Sequence, residues 1–142
     1  MVTSLASAQQ DTGKQLAQDS MALISYLELG NIGSRDADCK GTLFEVTNIN
    51  SVIETDVRAT LTKLAAMENQ NNPKEIERML SMLKHITVVT KDGKSVALTT
   101  YEKLKQDNFT MYGKQAGCAA LSATIRSVVQ QRKQSINKFL NR

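Results

Sequence analysis

The sequence predicts a mainly α-helical fold, an up-down bundle of three to four long helices. Aromatic residues make up 4% of the chain and Trp is absent, so the core must be aliphatic, which suits packed helices. One proline and 7 glycines leave few breaks, so the elements should be long. Apolar residues also recur every three or four positions. The 142 residues fit a single helical domain over 9–142.

The first helix is predicted over residues 12–29, where Leu16, Leu23, Ile24 and Leu27 share one face. Gly30 follows the last apolar residue, at the place where a left-handed helix cap favours glycine. Residues 30–41 are rich in turn formers and are predicted to be a loop.

A second helix is predicted over residues 42–69, because this stretch has the strongest helical period in the chain. Its apolar positions are Val46, Ile49, Ile53, Val57, Leu61, Leu64 and Met67. A third helix should begin at Asn72-Pro73-Lys74-Glu75, which combines an N-cap, a proline at the first position and an acid three residues after the cap. Its apolar face comprises Ile76, Met79, Leu80, Leu83 and Ile86.

Residues 86–99 allow two interpretations. Two β-branched runs flank Asp92-Gly93, which favours a short β-hairpin. The alternative is a helix that continues to about residue 90, followed by a loop and another helix. With either interpretation, Thr99 and Glu102 are predicted to form a capping box that opens a fourth helix, which runs to about residue 140. That helix pauses near residues 107–108 or breaks at Gly113.

Cys39 and Cys118 are the only cysteines. An even number of cysteines in an exported protein indicates a disulfide, and two free thiols are the alternative. Export itself is predicted from Ala6-Ser7-Ala8, a small-x-small pattern before a polar stretch, so residues 1–8 would be a signal-peptide remnant. The expected location is periplasmic or secreted, and the alternative is a cytoplasmic protein that starts at Met1.

Charge is distributed unevenly along the chain. Residues 1–71 carry a formal charge of −4 and residues 72–142 a charge of +8, and no acidic residue follows Asp107. A basic surface of this kind can bind an acidic partner. The predicted partner-binding residues are Arg126, Arg132, Lys133 and Lys138. In the competing interpretation, these basic residues face the acidic N-terminal half within one bundle.

No motif specifies a reaction, a metal or a cofactor. The loop at Asp36–Gly41 has acids at the first and third positions of a calcium loop, but Lys40 and Thr47 occupy positions that need ligands. His85, the only histidine, is predicted to lie at a helix end or on the surface.

The sequence therefore predicts an exported, non-catalytic protein that binds an acidic protein partner, of the inhibitor, immunity or secretion-accessory type. The alternative is a cytosolic helical protein that binds nucleic acid or another polyanion through its basic C-terminal helix. The sequence leaves the oligomeric state open, with a dimer among the alternatives.

Overall fold

The computed structural model describes residues 2–67, 72–85 and 93–142, with side chains from residue 12 onward. These residues form helices joined by short turns and one non-helical segment, so the mainly α-helical prediction is confirmed. The helices are α1 (Val2–Ser34), α2 (Ile49–Val52), α3 (Arg58–Met67), α4 (Pro73–Lys84), α5 (Val96–Tyr112) and α6 (Lys114–Leu140). A 3-10 turn covers Ala37–Cys39, and a π-helical turn, Ile53–Val57, joins α2 to α3.

Helix α1 does not end at Gly30, so the predicted glycine cap is wrong. Gly30 is needed instead because the non-helical segment 42–48 crosses the helix there. A Cβ at Gly30 would lie 2.0 Å from the carbonyl oxygen of Glu45, and a Cβ at Gly33 would lie 2.5 Å from the ring of Phe44. The two glycines therefore permit close approach of the chain to the helix.

The second helix begins seven residues later than predicted, because residues 42–48 are not helical. Asn31 of α1 fixes this segment. Its side-chain amide donates to the carbonyl of Thr47 at 3.2 Å and accepts from the backbone N–H of Thr47 at 3.3 Å. Asn48 then caps α2 by accepting from the backbone N–H of Ser51. The hydrogen bonds of Asn31 and Asn48 therefore determine where α2 begins, although the helical period of the sequence starts earlier.

Helix α4 begins at the predicted signal, with the Asn72 side chain accepting from the backbone N–H of Lys74 at 3.1 Å. The predicted capping box at Thr99 is wrong, because Ser95 caps α5 by accepting from the N–H of Leu98. Residues 96–99 are helical, so the second strand of the alternative hairpin is not formed there. Residues 86–92 lie outside the described part.

Helices α5 and α6 are separated at Gly113, which has a φ of 83° that favours glycine, and not at residues 107–108. Gly117 lies in the following turn, where a Cβ would meet the Phe109 ring at 2.8 Å. The small residues at this corner therefore allow α5 to pack closely on α6.

The main packing contacts join α1, α5 and α6. Residue 19 of α1 contacts residue 132 of α6, whereas the turn after α1 contacts residue 118, so the two helices run antiparallel. The core is largely aliphatic, as predicted, and its fully buried side chains include Leu23, Ile24, Leu27, Leu29, Ile53, Leu80, Leu121, Ile125 and Ile136.

The predicted disulfide between Cys39 and Cys118 is present and links the turn after α1 to the beginning of α6. It closes a loop with a sequence separation of 79 residues. In the chain-entropy model, a loop of this length stabilises the fold by about 4 kcal/mol. Among the described helices, none has the length and apolarity required to cross a membrane.

Candidate docking groove

Helix α4 presents two rows of apolar side chains. Ile76 and Leu80 are buried against the π-helical turn and α3. Met79, Met82 and Leu83 follow on the adjacent side of the helix, where α4 approaches α1. The second row is therefore only partly covered by the chain itself.

An open apolar groove lies where α1, α3 and α4 meet. Its cavity volume is about 170 Å³. It is lined by Ala17, Ser20 and Met21 of α1, Leu61 of α3, and Met79, Met82 and Leu83 of α4. We call this set of residues the methionine groove. Met21 is 55% exposed and Met82 is 62% exposed, so two flexible apolar side chains flank its mouth.

Ser20 is the one hydroxyl residue of the groove, and it is 1% exposed. Its Oγ has no hydrogen-bond partner within the described part of the chain. The other buried hydroxyls are bonded: Thr60 donates to the carbonyl of Asp56 at 2.8 Å, and Ser122 donates to the carbonyl of Leu43. An unpaired buried hydroxyl costs about 1–3 kcal/mol, so Ser20 leaves a hydrogen-bonding capacity that the fold does not use.

The groove residue Met82 lies beside an ion pair of α4. Arg78 pairs with Glu75 on α4, and its Nη1 lies 3.3 Å from the sulfur of Met82. The hydrogen bond from Arg78 holds the pKa of Glu75 below its ordinary value. Lys14 is exposed, lies one helical turn before Ala17 on α1 and makes no ion pair with the described residues. The charge that the described residues leave uncompensated at this end of the groove is therefore positive.

A different face of α1 packs on α6 through a buried carboxylate. Asp19 is 1% exposed and accepts from Arg132 Nη1 at 2.6 Å and from Ser135 Oγ at 2.5 Å. Gln15 donates to the same carboxylate at 3.0 Å. Arg132, which interrupts the apolar stripe of α6 in the sequence, thus neutralises a buried acid of α1.

A second polar cluster lies beside the disulfide. Asp36 accepts from Tyr101 Oη at 2.7 Å and pairs with Lys105 Nζ at 2.8 Å. Burial raises the pKa of Asp36, but the hydrogen bonds from Lys105 and Tyr101 outweigh it and hold the pKa below its ordinary value. Burial and the Asp36 carboxylate together raise the pKa of Tyr101, so the phenol stays protonated.

The predicted partner-binding residues lie along α6, and three of them contact other parts of the chain. Arg132 pairs with Asp19, and Lys133 lies 3.5 Å from Glu45. Arg126 donates to the carbonyl of Leu43 at 2.8 Å. Lys138 is exposed and makes no ion pair with the described residues. Binding of a partner by these four residues stays a prediction.

The acids of the calcium-like loop, Asp36 and Asp38, both bind Lys105. Within residues 2–67, 72–85 and 93–142, no group of His, Cys, Asp and Glu side chains could hold a metal ion. His85 is exposed and follows the last turn of α4, as predicted.

The methionine groove was missed by the sequence analysis. The period of α4 does mark Met79 and Leu83, but periodicity alone cannot distinguish a covered face from an open one. The available signal was the presence of three methionines at the edges of amphipathic helices: Met21, Met79 and Met82. No protein-family model, no curated protein and no solved structure matches this chain.

Proposed function

We propose that the chain is an exported, non-catalytic protein that binds a protein partner through the methionine groove. The observation that carries this proposal is the open apolar cavity between α1 and α4, flanked by the exposed side chains of Met21 and Met82. Methionine side chains are flexible and polarizable, and they adapt to the apolar face of a bound segment. The partner is expected to be acidic, because the exposed Lys14, one helical turn before Ala17, makes no ion pair with the described residues.

Export is supported by the disulfide between Cys39 and Cys118, since disulfides persist mainly in oxidising compartments. The intact mass of the protein from its own host tests this part. A chain that begins at Gln9 and gains two hydrogens on reduction supports export. A chain that retains Met1 and takes two alkyl groups without reductant contradicts it.

A matched pair of substitutions tests the binding surface. Met82→Glu places a charge in the groove, whereas Met111→Glu places the same charge on an equally exposed methionine of α5, 70% exposed and outside the groove. Neither change should alter the circular dichroism spectrum. In cross-linking and affinity purification from the native host, Met82→Glu should lose the partner by at least about tenfold, and Met111→Glu should retain it. Equal recovery with both variants contradicts the groove as the binding surface.

The second candidate function is binding of a polyanion through α6. Two basic residues near the C-terminus, Lys138 and Arg142, favour this function. They line a cavity at the end of α6 together with Ser135 of α6 and Gln15 of α1. This function predicts binding to any DNA duplex with a steep salt dependence, weakened by Lys138→Glu. Absence of salt-dependent duplex binding removes this candidate and leaves the groove unaffected.

A further inference from the structure

We propose that the methionine groove receives a tyrosine side chain, presented by an acidic, apolar-faced segment of another protein. This inference rests on the proposed function and specifies the partner of the same site. It starts from Ser20, because the groove is apolar except for this one buried hydroxyl, which lacks a hydrogen-bond partner among the described residues.

The size of the groove fits one aromatic ring. A buried apolar cavity of about 150 Å³ binds benzene in another protein, and the methionine groove has a volume of about 170 Å³. Met21, Met79 and Met82 line it, and methionine sulfur makes favourable contacts with aromatic ring edges. One ring therefore fills the groove, and a longer apolar segment would extend over the exposed methionines at its mouth.

The buried Ser20 hydroxyl selects the type of ring. A phenylalanine would cover Ser20 without offering its Oγ a hydrogen bond. The free-energy penalty of the unsatisfied hydroxyl would then be the same in the complex as in the free protein. A tyrosine hydroxyl can form one hydrogen bond with Ser20 Oγ, as either the donor or the acceptor, and so gives each of the two hydroxyls a partner. Aromatic residues with a polar tip are also the common anchors of protein interfaces.

The charge at the rim argues that the segment belongs to an acidic partner. Glu75 and Arg78 neutralise each other, which leaves Lys14 uncompensated by the described residues. This chain offers an exposed tyrosine of its own, Tyr112, whose nearest charged neighbours in sequence are Asp107 and Lys114. Because the chain has a formal net charge of +4, insertion of Tyr112 from a second copy would bring together two molecules of net positive charge, so a different, acidic protein is the better occupant.

Synthetic helical peptides test the inference on the full, disulfide-bonded chain. One peptide carries a tyrosine on an apolar face flanked by glutamates. A second replaces the tyrosine by phenylalanine, and a third replaces the glutamates by lysines. By calorimetry, the tyrosine peptide should bind about fivefold more tightly than the phenylalanine peptide, the worth of one hydrogen bond. The lysine peptide should bind more weakly than the glutamate peptide.

Variants locate the effect at Ser20. Ser20→Ala should abolish the preference for tyrosine, because the hydrogen-bonding group is lost while the groove remains. Ser81→Ala, on an exposed position of α4 outside the groove, should keep it. Ala17→Leu fills the groove and should weaken both the tyrosine and the phenylalanine peptides.

Each other outcome overturns the inference. Equal affinity of the tyrosine and phenylalanine peptides for the wild-type chain removes the role of Ser20, while the proposed function survives if Met82→Glu still loses the native partner. A preference for the tyrosine peptide that persists in Ser20→Ala would likewise show that Ser20 does not select the ring. If neither the peptides nor p-cresol and toluene perturb the NMR signals of the groove methionines, the groove does not take a ring. If free p-cresol binds as tightly as the tyrosine peptide, the site serves small phenols and the protein segment is wrong.

Discussion

Two neighbouring residues of α1, Asp19 and Ser20, are equally buried and have opposite surroundings. Each is 1% exposed. Successive residues of a helix point about 100° apart, so Asp19 faces α6 and Ser20 faces the methionine groove. Asp19 accepts hydrogen bonds from Gln15, Arg132 and Ser135, whereas Ser20 Oγ has none within the described chain. One face of α1 therefore uses its buried polar group to complete the fold, whereas the other has a buried hydroxyl that is unbonded within the described chain and that we propose binds a partner.

The α6 side of α1 also explains the charge distribution of the sequence. Arg132 and Lys133 of the basic half pair with Asp19 and Glu45 of the acidic half. Lys105 pairs with Asp36 in the same way. Basic residues of the second half therefore pair with acidic residues of the first half within the fold, as the competing interpretation of the basic residues expected.

Of the substitutions that compare the two faces of α1, Asp19→Ala is expected to lower the free energy of unfolding most. It removes the buried carboxylate and leaves Arg132 partly buried without its counter-charge, so the free energy of unfolding should fall by about 3 kcal/mol. Urea unfolding at neutral pH measures this change. The matched control is Glu75→Ala, which breaks a solvent-exposed pair with Arg78 and should change the free energy of unfolding far less than Asp19→Ala does. Similar losses for the two variants would mean that the α1–α6 face is not specially stabilised by its carboxylate.

Much of the fold follows from local signals in the sequence. The helical period located the core of α1, α3 and α6, and Asn72-Pro73 marked the beginning of α4. The predicted disulfide is also confirmed, and it could be predicted because Cys39 and Cys118 are the only cysteines in the sequence. These features depend on periodicity, caps and cysteine count, all of which can be read without knowing which helices meet.

The errors lie where distant segments meet. Gly30 looked like a helix cap, but its role is to let residues 42–48 cross α1. The methionine groove likewise depends on how α1, α3 and α4 meet, because residues of all three helices line it. Met79 has the same spacing whether a neighbouring helix covers it or not, so sequence periodicity predicts the apolar face of α4 but not its openness.

Asp36→Asn should have an intermediate effect and a clear pH dependence. Asparagine keeps the acceptor that caps the turn at Asp38 but loses the charge paired with Lys105, so we expect a loss of about 1–2 kcal/mol at neutral pH. Because the pKa of Asp36 is lowered by folding, its contribution is fully present above the ordinary value of 3.8 and is lost as pH falls through the lowered pKa. The difference between wild type and variant should therefore shrink below about pH 4. Asp38→Asn, at a more exposed carboxylate of the same cluster, should cost less. A difference that stays constant to pH 2 would contradict the charged role of Asp36.

Ser20→Ala should have the smallest effect, although its side chain is as buried as that of Asp19. Removing a hydroxyl that has no partner among the described residues breaks no hydrogen bond with them, and alanine favours the helix by about 0.5 kcal/mol. The free energy of unfolding should therefore remain within about 0.5 kcal/mol of wild type or rise by up to about 1 kcal/mol. Ser122→Ala is the matched control, because its equally buried hydroxyl donates to Leu43 and accepts from Arg126, and its loss should cost about 1–2 kcal/mol. If Ser20→Ala instead costs as much as Ser122→Ala, then Ser20 is bonded within the folded chain, the two faces of α1 are alike, and the groove has no free hydroxyl to offer a tyrosine.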